Sequence, residues 1–534
     1  MRSIVFKILI IFSIGLLIVT CASRGRPTGG DIDEDPPVIV KSEPENYTTN
    51  FKGDEIRIYF DEFVKLKNIQ KQLIVSPPMD NAPIIGPLSA SRYISIKIID
   101  TLKPNTTYAF NFGQSIVDNN EENPFSYYRY VFSTGPSIDS LSVKGIVVDA
   151  EKREPDSFIS VMLYEADSTY TDSIVYKQKP KYITNTLDSL TTFSIDNIKE
   201  GRYKLIALKD ENGNFTYEPK SDKIGFIDGF IDVPKDTSYV IKLFKQTPDF
   251  KVGRLYQAGE TRIGVPFEGN SEETSIRILE TLPEDYRSII TKDTETDTLY
   301  YWYKPKLELD STFFEVRKLS HTDTLKFKFK SADKDSLIIT NLTSGNLVFN
   351  KNFAIESSTP LEAISKEKIR IVDKDSIEVL FEANYDSIFK RYEFPIKLEE
   401  SQTYRATFLP GAFTDFYGAQ NDTLNFGFRT RQKSDFGNIR VNLRNAKFPL
   451  IVQLVDERDK VLYEQYTEST PVIDFSDIDP KNYYIRVIFD DNKNGKFDSG
   501  NFLKGSFPER VSYYNRLIEV RANFDYVEEF TLLD

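Results

Sequence analysis

The sequence predicts an all-β protein built of β-sandwich domains arranged in tandem. Short runs of alternating polar and apolar residues recur between turn signals, for example at residues 55–60, 93–98 and 369–372. The chain has 40 Phe and 30 Tyr against 3 Met and 1 Trp, and aromatic side chains favour strands, where they pack across the sheet. Long stretches with helical periodicity are scarce. This combination is typical of β-sandwiches connected in series.

Length and composition set the number of domains and the source of their stability. After removal of an export signal, about 510 residues remain, which is too many for one core and predicts three to five domains. A chain with 40% apolar and 13% aromatic residues can fill such cores. The single cysteine excludes intramolecular disulfides, so stability has to come from the cores and from any bound ions.

The N-terminus has the pattern of a bacterial lipoprotein signal peptide. Arg2 and Lys7 precede an apolar run at residues 8–19, which is too short for a comfortable membrane span. The sequence IVTC at residues 18–21 then resembles a lipobox, in which the cysteine becomes the acylated N-terminus. Thr20 departs from the usual small residue, and the alternative is an ordinary signal peptide followed by a chance cysteine. We therefore expect a signal peptide at residues 1–20 and a lipid anchor on Cys21.

Charge and hydropathy restrict the partners. The net charge is −13 and there is no basic patch, which argues against nucleic acid as a partner. No second apolar run of membrane-spanning length follows the signal, so membrane attachment is expected through lipid. Residues 21–35 have no apolar periodicity and are expected to form a flexible tether.

The first internal repeat relates residues 102–120 to residues 398–418. Tyr108 and Tyr404 have the same spacing from a preceding leucine. Each is followed by an alternating strand, an aspartate (118 or 415) and a closing aromatic strand that ends in threonine. In a sandwich, this tyrosine is expected to hold a corner through its hydroxyl group.

The second internal repeat relates residues 203–218 to residues 483–498. In both copies a tyrosine precedes an aspartate by seven residues, Tyr203 before Asp210 and Tyr483 before Asp490. We therefore expect the same kind of sandwich at residues 138–245 and at residues 433–534. Residues 246–345 are also rich in predicted strands and are expected to form a β-sandwich of unassigned type.

Three segments resemble known families. Residues 18–134 resemble the bacterial Ig-like domains of Bacteroidota lipoproteins. The start CASRGRPTGG is similar to the CAxxGxPxGG start of that lipoprotein family, and the resemblance implies no particular biochemical activity. Residues 143–149 resemble the opening strand of transthyretin-like or carboxypeptidase-regulatory-like sandwiches. The resemblance implies an Ig-like domain at residues 36–135 and, through the first repeat, a second one at residues 346–432.

The strongest chemical motif is the DxNxNG pattern at residues 490–498. Oxygen ligands at positions 1, 3 and 5 of a tightly coiled loop converge on one point, glycine at position 6 permits the sharp turn, and position 9 adds another oxygen. The candidate calcium ligands are Asp490, Asn492, Asn494, Lys496 and Asp498. Position 12 is Asn501, which departs from an EF-hand. A structural calcium ion is one hypothesis, and a polar turn without metal is the other.

The second repeat supplies a weaker metal candidate at residues 210–218. Its ligands would be Asp210, Asn212, Asn214 and Glu218, but the loop lacks glycine at position 6. Recurrence of the loop in two domains favours a shared requirement of the fold over catalysis. No cofactor is required by any motif in the chain.

Nucleophilic catalysis lacks the necessary parts. His321 is the only histidine, with Asp323 two residues further on, and no GxSxG elbow or nearby serine nucleophile is evident. One histidine and one cysteine cannot supply an ordinary zinc site. We expect His321 to be a surface residue. Carboxylate pairs for glycoside hydrolysis could be drawn from 81 acids, so their presence in the sequence is not informative.

The function predicted from the sequence is that of a non-catalytic outer-membrane lipoprotein, which serves as a scaffold or accessory subunit of an envelope protein assembly. The first alternative is a glycan-binding surface lipoprotein with Trp302 as its aromatic platform. For that strand, the favoured interpretation is that its alternate residues simply fill a core. The second alternative is a carboxylate-dependent hydrolase. Arg24 and Arg26 precede the first acids after Cys21, which favours the periplasmic face over the cell surface.

Overall fold

The computed structural model describes residues 33–186, 191–235, 237–319, 321–343 and 345–533. Strands account for 47% of the residues and helices for 3%, which confirms the predicted all-β class. The signal peptide, Cys21 and most of the predicted tether lie outside the described residues. The chain divides into two compact units. The first comprises the described residues up to Ser142 with Lys181–Thr184 and Ile195–Lys199, and the second comprises Val143–Pro180, Asn185–Ser194 and the chain from Glu200 onward.

Helices are short and few among the described residues. One α-helix, α1, spans Ile69–Gln72, and three 3-10 helices span Asp172–Tyr176, Lys366–Lys368 and Lys433–Asp435. Within the described part of the chain, no helix has both the length and the apolar character needed to cross a membrane.

The first unit is a β-sandwich built from the first eight strands. They are β1 (Ile39–Glu43), β2 (Glu55–Leu66), β3 (Ile74–Ser76), β4 (Ile84–Gly86), β5 (Ser91–Lys97), β6 (Thr107–Asn111), β7 (Ile116–Asp118) and β8 (Arg129–Ser133). One sheet has the order β1-β2-β5-β4, with β7 paired to β2, and the other has the order β3-β6-β8. Alternation in β2 buries Ile56, Ile58 and Phe60 against the second sheet, where Phe110 and Phe132 are fully buried.

The tyrosines of the first repeat hold equivalent corners. The Tyr108 hydroxyl accepts a hydrogen bond from the backbone N–H of Lys103 at 2.9 Å, and the Tyr404 hydroxyl accepts one from the N–H of Glu399 at 2.7 Å. The closing threonine of each copy accepts the backbone N–H two residues before its tyrosine, at 3.0 and 3.1 Å. The corner predicted from the sequence is therefore present in both copies.

The second unit contains most of the remaining strands. Between residues 141 and 243 the strands are β9 (Leu141–Asp149), β10 (Ser160–Glu165), β11 (Tyr182–Asn185), β12 (Thr192–Ile198), β13 (Gly201–Lys209), β14 (Lys223–Phe226), β15 (Ile231–Val233) and β16 (Ser238–Leu243). Most of β11 and the second half of β12 are counted with the first unit. Strand β13 is central, with β10 and β14 on its two sides and β15 paired to its start. The last strand of this segment, β16, pairs in parallel with the first, β9.

Residues 251–328 form two facing sheets. Their strands are β17 (Lys251–Val252), β18 (Tyr256–Gly259), β19 (Arg262–Glu268), β20 (Ser275–Ile278), β21 (Arg287–Lys292), β22 (Thr298–Lys304), β23 (Ser311–Lys318) and β24 (His321–Lys328). The sheet orders are β17-β19-β22-β21, with β18 paired to β19, and β20-β23-β24. Tyr301 and Tyr303 of β22 face Phe314 of β23 in the core between the two sheets.

Residues 339–429 carry the second copy of the corner tyrosine. The strands are β25 (Ile339–Asn341), β26 (Phe353–Ser357), β27 (Leu361–Ile364), β28 (Ile369–Val372), β29 (Asn384–Asp386), β30 (Arg391–Phe394), β31 (Thr403–Phe408), β32 (Phe413–Asp415) and β33 (Leu424–Arg429). They pair as β25-β26-β30-β29, β28-β31-β33 and β27-β32. Phe353, Phe394, Phe408 and Phe428 form the centre of the core.

Residues 437–531 repeat the arrangement seen around β13. The strands are β34 (Gly437–Arg444), β35 (Leu450–Val455), β36 (Val461–Thr467), β37 (Val472–Ile478), β38 (Asn482–Phe489), β39 (Val511–Tyr513), β40 (Ile518–Glu519) and β41 (Asp525–Thr531). Strand β38 is flanked by β35 and β39 in the sheet β36-β35-β38-β39, with β40 paired to its start. The last strand, β41, again pairs in parallel with the first, β34.

Candidate functional site

The DxNxNG loop begins directly after strand β38. Asp490 is only 1% exposed, and its carboxylate accepts the backbone N–H groups of Asn494 at 3.1 Å and Gly495 at 2.8 Å. The side-chain amides of Asn492 and Asn494 donate to one oxygen of Asp498 at 2.5 and 2.6 Å. The side chain of Lys496 points out of the loop and pairs with Glu272. The candidate ligands are thus brought together, and hydrogen bonds close the loop.

The weaker candidate loop has the same construction. Asp210 follows strand β13 and accepts the N–H groups of Gly213 and Phe215, both at 2.7 Å. Asn212 and Asn214 donate to the two oxygens of Glu218 at 2.9 and 2.8 Å.

Left-handed backbone occurs at positions 4 and 6 of both loops. In one loop these positions are Gly213 and Phe215, with φ of 67° and 59°, and in the other they are Lys493 and Gly495, with φ of 64° and 72°. Glycine is the residue that adopts this conformation without steric cost. The missing glycine at position 6 therefore does not distinguish the loops, because each has one glycine and one strained non-glycine residue at these two positions.

A third carboxylate holds each loop, and reasoning from the sequence missed both of them. Asp222 accepts the N–H groups of positions 2 and 9 in the first loop, Glu211 at 3.2 Å and Glu218 at 2.8 Å. Glu509 accepts the equivalent groups in the second loop, Asp491 at 2.9 Å and Asp498 at 3.0 Å. The two acids follow position 9 by different numbers of residues, so a comparison at fixed spacing does not find them.

The charged groups around the DxNxNG loop bear on whether it could bind a metal ion. Burial raises the pKa of Glu509, and the nearby carboxylates of Asp498 and Asp490 raise it further, against the lowering effect of the two backbone N–H groups. Within the described ranges, no group of three or more His, Cys, Asp or Glu side chains is arranged to hold a metal ion. A cation at this loop would therefore depend on amide and backbone oxygens in addition to carboxylates.

A buried arginine joins two distant segments of the second unit. Arg486 of β38 is 3% exposed, and its Nε donates to Gln453 at 2.6 Å. Its guanidinium also reaches the carbonyl oxygen of Glu151 at 3.3 Å, and the hydroxyl of Tyr513 donates to the same oxygen at 2.9 Å. Glu151 follows β9 and lies 335 positions earlier in the chain.

Aromatic residues extend this contact. The ring of Phe226 stacks on Phe507 with centroids 4.6 Å apart, and Phe502 packs edge-on to Phe226 at 5.3 Å. The backbone N–H of Phe502 donates to the side chain of Gln246 at 3.0 Å. The segment after the DxNxNG loop is therefore packed against residues 226–246, which fixes the two repeated sandwiches to each other within the second unit.

Trp302 does not form a glycan platform, which corrects the interpretation of this residue. It is 0% exposed, and its indole N–H donates to the Thr291 hydroxyl at 2.8 Å. The opposite face of β22 fills the core with Tyr301 and Tyr303, so both faces of the strand are covered. The indole is enclosed because a segment from elsewhere in the chain covers it: Tyr417 packs near the ring, with centroids 6.5 Å apart. A sugar needs an exposed ring to stack on, and this ring is enclosed.

His321 lies at the surface, as the sequence suggests. Half of its side chain is exposed, and its Nε2 is 3.0 Å from an oxygen of Asp323. Within the described ranges, no serine hydroxyl hydrogen-bonds to this ring. Among the described residues the pair has an orienting carboxylate, Asp323, and no nucleophile bonded to the ring.

Comparison with known proteins identifies one domain. Residues 33–134 match the family model of the bacterial Ig-like domain, and the first unit therefore contains a domain of that family. A search of proteins with curated descriptions found no match.

A search of solved structures found matches of low sequence identity and low TM-score. The surface layer protein SbsC, domains 1–6, is 10% identical with a TM-score of 0.16, covering 90% of this chain and 67% of that chain. The Bacillus anthracis TIE protein is 11% identical with a TM-score of 0.15, covering 95% and 76%. The Salmonella alpha-2-macroglobulin is 9% identical with a TM-score of 0.15, covering 90% and 42%.

Proposed function

We propose that this protein is a non-catalytic outer-membrane lipoprotein, anchored through Cys21, that serves as a scaffold or accessory subunit of an envelope protein assembly. The observation that carries the proposal is the contact around Arg486, which fixes two sandwiches that are distant in the sequence. A scaffold has to present surfaces from several domains in a constant geometry, and a buried side chain that hydrogen-bonds to both sandwiches favours this.

The chemistry of the described side chains supports a binding role. The repeated acidic loops are occupied by their own hydrogen bonds, and the exposed His321 pairs with Asp323 alone. The acidic side chains stabilise their own loops, and within the part of the chain that the structure describes these groups do not converge on a common reaction centre. Loop clusters and sheet edges on a rigid scaffold are the surfaces on which partner proteins commonly dock.

The test of this function is affinity capture from the native envelope. The tagged protein, extracted with detergent, is purified and its companions are identified by mass spectrometry. We expect one envelope protein to co-purify in constant proportion. Purification of the chain alone, after mild cross-linking as well as without it, would contradict the scaffold function. An Arg486→Ala variant, which loosens the contact with Glu151, is expected to retain less of the partner.

Replacement of Cys21 by serine tests the anchor. We expect the wild-type protein to incorporate a fatty-acid analogue and to sediment with membranes, because several acyl chains hold a protein stably in a bilayer. Cys21→Ser should lose both the label and the membrane fraction. The matched control is Thr20→Ala, which restores a small residue before the cysteine and should be labelled at least as well as the wild type. Membrane sedimentation of Cys21→Ser at the wild-type level would disprove the anchor.

A structural calcium ion at residues 490–498 is part of this proposal and has its own test. The construction of the loop is supporting evidence, because hydrogen bonds draw the side chains of Asp490, Asn492, Asn494 and Asp498 together within one turn. We expect millimolar calcium to raise the melting temperature of the wild type and to leave that of Asp490→Ala unchanged. The control is Asp456→Ala, which removes a carboxylate that holds a different turn through two backbone N–H groups and should leave the calcium response unchanged. A wild-type melting temperature that calcium does not move would leave the loop as a hydrogen-bonded turn.

A further inference from the structure

The two copies of the second repeat differ in the connection that follows the acidic loop. In one copy, residues 219–221 join position 9 of the loop to the third carboxylate that holds it, and in the other copy residues 499–508 make this connection. The strands on both sides pair in the same way in the two copies, β13 with β14 and β38 with β39. Residues 499–508 are therefore an insertion into a shared framework, and we call them the finger.

The base of the finger is closed by residues that also complete the DxNxNG loop. The N–H of Asp498 donates to the carboxylate of Glu509, and the N–H of Glu509 donates to the carbonyl oxygen of Asp498, both at 3.0 Å. The Glu509 carboxylate also accepts the N–H of Asp491 inside the loop at 2.9 Å. The loop and the finger therefore share one hydrogen-bonded base, so a change in the shape of the loop moves both ends of the finger.

The finger is a short hairpin. Asn501 and Ser506 form an antiparallel bridge, with hydrogen bonds of 2.8 and 3.0 Å between their backbone groups. At the tip, the N–H of Gly505 donates to the carbonyl oxygen of Phe502 at 3.0 Å, and Gly505 has a φ of 62°. Because glycine adopts this left-handed conformation without steric cost, the tip turns sharply and holds Phe502 in a fixed position.

The tip of the finger is buried against the sandwich of residues 141–243. Phe502 is 2% exposed, and its ring packs edge-on to Phe226 at the end of β14. Its backbone N–H donates to the side chain of Gln246, which is itself 5% exposed. Phe507 stacks on Phe226 from the other strand of the hairpin. The contact thus combines aromatic burial with a hydrogen bond that fixes its geometry.

Small residues of the finger allow a close approach beside the aromatic contact. A Cβ on Gly500 would lie 2.7 Å from the ring of Phe244, so only glycine fits at this position without a shift of its neighbours. The hydroxyl of Ser499 accepts the backbone N–H of Thr247 at 3.2 Å. Phe244 and Thr247 come directly after β16. The finger is therefore received where β14 and β16 end.

The aromatic residues of the finger are not needed by the core of their own sandwich. That core lies between the two sheets of residues 437–531 and is filled by strand residues such as Val452, Ile485 and Val487. Among the described residues, neither Phe502 nor Phe507 belongs to it. Since the finger buries its rings against another sandwich, its apolar residues contribute to docking and not to the folding of residues 437–531.

We propose that the finger is a docking device that holds the sandwich of residues 437–531 on the sandwich of residues 141–243, and that the DxNxNG loop controls this docking by fixing the base of the finger. A closed loop keeps the finger in place, and an opened loop releases it. The proposal rests on the scaffold function proposed above, because it names an element that keeps two sandwiches of the scaffold in constant geometry. It adds a second point of attachment to the contact of Arg486 with Glu151.

Replacement of the finger by the short connection of the other copy tests its role in docking. Residues 499–508 are exchanged for the Pro-Lys-Ser of residues 219–221 in the full-length protein in detergent. Cys21→Ser removes the native thiol, and Lys152→Cys and Arg458→Cys place one spin label on each sandwich at an exposed position. Double electron–electron resonance should give one narrow distance distribution with the finger and at least twice that width without it.

The loop is tested by a variant that removes no contact between the finger and the other sandwich. Asp490→Ala deletes the carboxylate that holds two N–H groups of the loop. We expect a broader distance distribution and at least tenfold faster hydrogen exchange in residues 499–508. Asp490→Asn, which keeps one acceptor oxygen, should give an intermediate result. The control is Asp373→Ala, which removes a carboxylate that holds a distant turn through two N–H groups and should change neither measurement.

Hydrogen exchange in β35 and β38 at the wild-type rate shows that the sandwich of each variant is still folded. A narrow distance distribution after replacement of the finger would overturn its docking role. Unchanged distance and exchange in Asp490→Ala would overturn the control by the loop. The scaffold function fails separately: if the finger variants release the sandwich but no envelope partner is captured, the scaffold function is wrong and the finger proposal stands. If a partner is captured while replacement of the finger leaves the distance unchanged, the finger proposal is wrong.

Discussion

Replacement of Trp302 by alanine is expected to lower the free energy of unfolding of the surrounding segment by about 3–5 kcal/mol, the range for truncation of a large buried aromatic side chain. The indole is fully buried and bonded to Thr291. Its ring also lies 4.8 Å from the guanidinium of Arg262, close enough for a cation–π contact. Because Tyr417 covers it from residues 339–429, the loss should weaken the contact between two sandwiches as well as the local sheet.

Hydrogen–deuterium exchange is the suitable measurement for this variant, because Trp302 is the only tryptophan and its removal eliminates the natural fluorescence probe. Faster exchange is expected in β22 and in its neighbours β19 and β21. Trp302→Phe should be milder, since it keeps most of the apolar volume. Val527→Ala, on the exposed face of the edge strand β41, serves as the control and should cost less than about 0.5 kcal/mol. Exchange in β22 at the wild-type rate would contradict the burial of the indole.

Replacement of Asp335 by alanine should cost about 3 kcal/mol, because it leaves the charge of Arg262 partly buried without its partner. The two side chains are joined at 2.8 Å and are 24% and 14% exposed. Gly259 permits the approach, since a Cβ at that position would lie 2.1 Å from an oxygen of Asp335. The packing of Arg262 against Tyr300 and Trp302 means that the arginine cannot turn to water without disturbing both rings.

The double variant Arg262→Met/Asp335→Leu compares the attraction between the two charges with the free-energy cost of burying them. Arg262 Nε and one oxygen of Asp335 have no hydrogen-bond partner among the described residues, so the pair is incompletely bonded. We expect the double variant to be within about 1 kcal/mol of the wild type, as for other buried pairs replaced by apolar residues. Denaturant unfolding followed by the fluorescence of Trp302 measures both variants. A double variant as unstable as Asp335→Ala would show that the ion pair itself is strongly stabilising.

The pH dependence provides a further check on the same pair. Burial raises the pKa of Asp335, and this effect exceeds the lowering effect of Arg262. A carboxyl group whose pKa is raised by folding binds its proton more tightly in the folded state. Its contribution to the free energy of unfolding is therefore largest below its ordinary pKa and falls as the pH rises through the folded value. Asp335→Asn should remove this component of the pH dependence.

The all-β class and the strands that carry it could be predicted because alternation with a period of two is a local property of the sequence. Residues 55–60 and 369–372 lie within β2 and β28, as that pattern indicates. The corner tyrosines were also predictable, since Tyr108 and Tyr404 bind backbone groups five residues away. In each case the physical cause lies within a few residues of its effect.

Features that depend on distant segments were missed. The sequence around Trp302 does not indicate whether the outer face of its strand is exposed to water or covered by another segment. The cover is supplied by Tyr417, which is distant in the sequence. Glu509 and Asp222 were overlooked because the number of residues between the loop and the acid that hydrogen-bonds to it differs between the two copies. The contact of Arg486 with Glu151 spans 335 positions, and a single sequence contains no signal for it.

The parallel pairing of first and last strands has a mechanical consequence. In residues 141–243, β9 and β16 run in the same direction, and the chain enters at the start of β9 and leaves at the end of β16. Tension applied along the chain therefore pulls these strands past each other lengthwise, so that six residue pairs from Ser238↔Lys144 to Leu243↔Asp149 bear the load together. If the two strands were antiparallel, the same tension would act on one end of the ladder, and its hydrogen bonds would break one after another. This segment should accordingly resist stretching forces, and its rate of forced unfolding, measured by single-molecule pulling, should be governed by simultaneous rupture of the whole ladder.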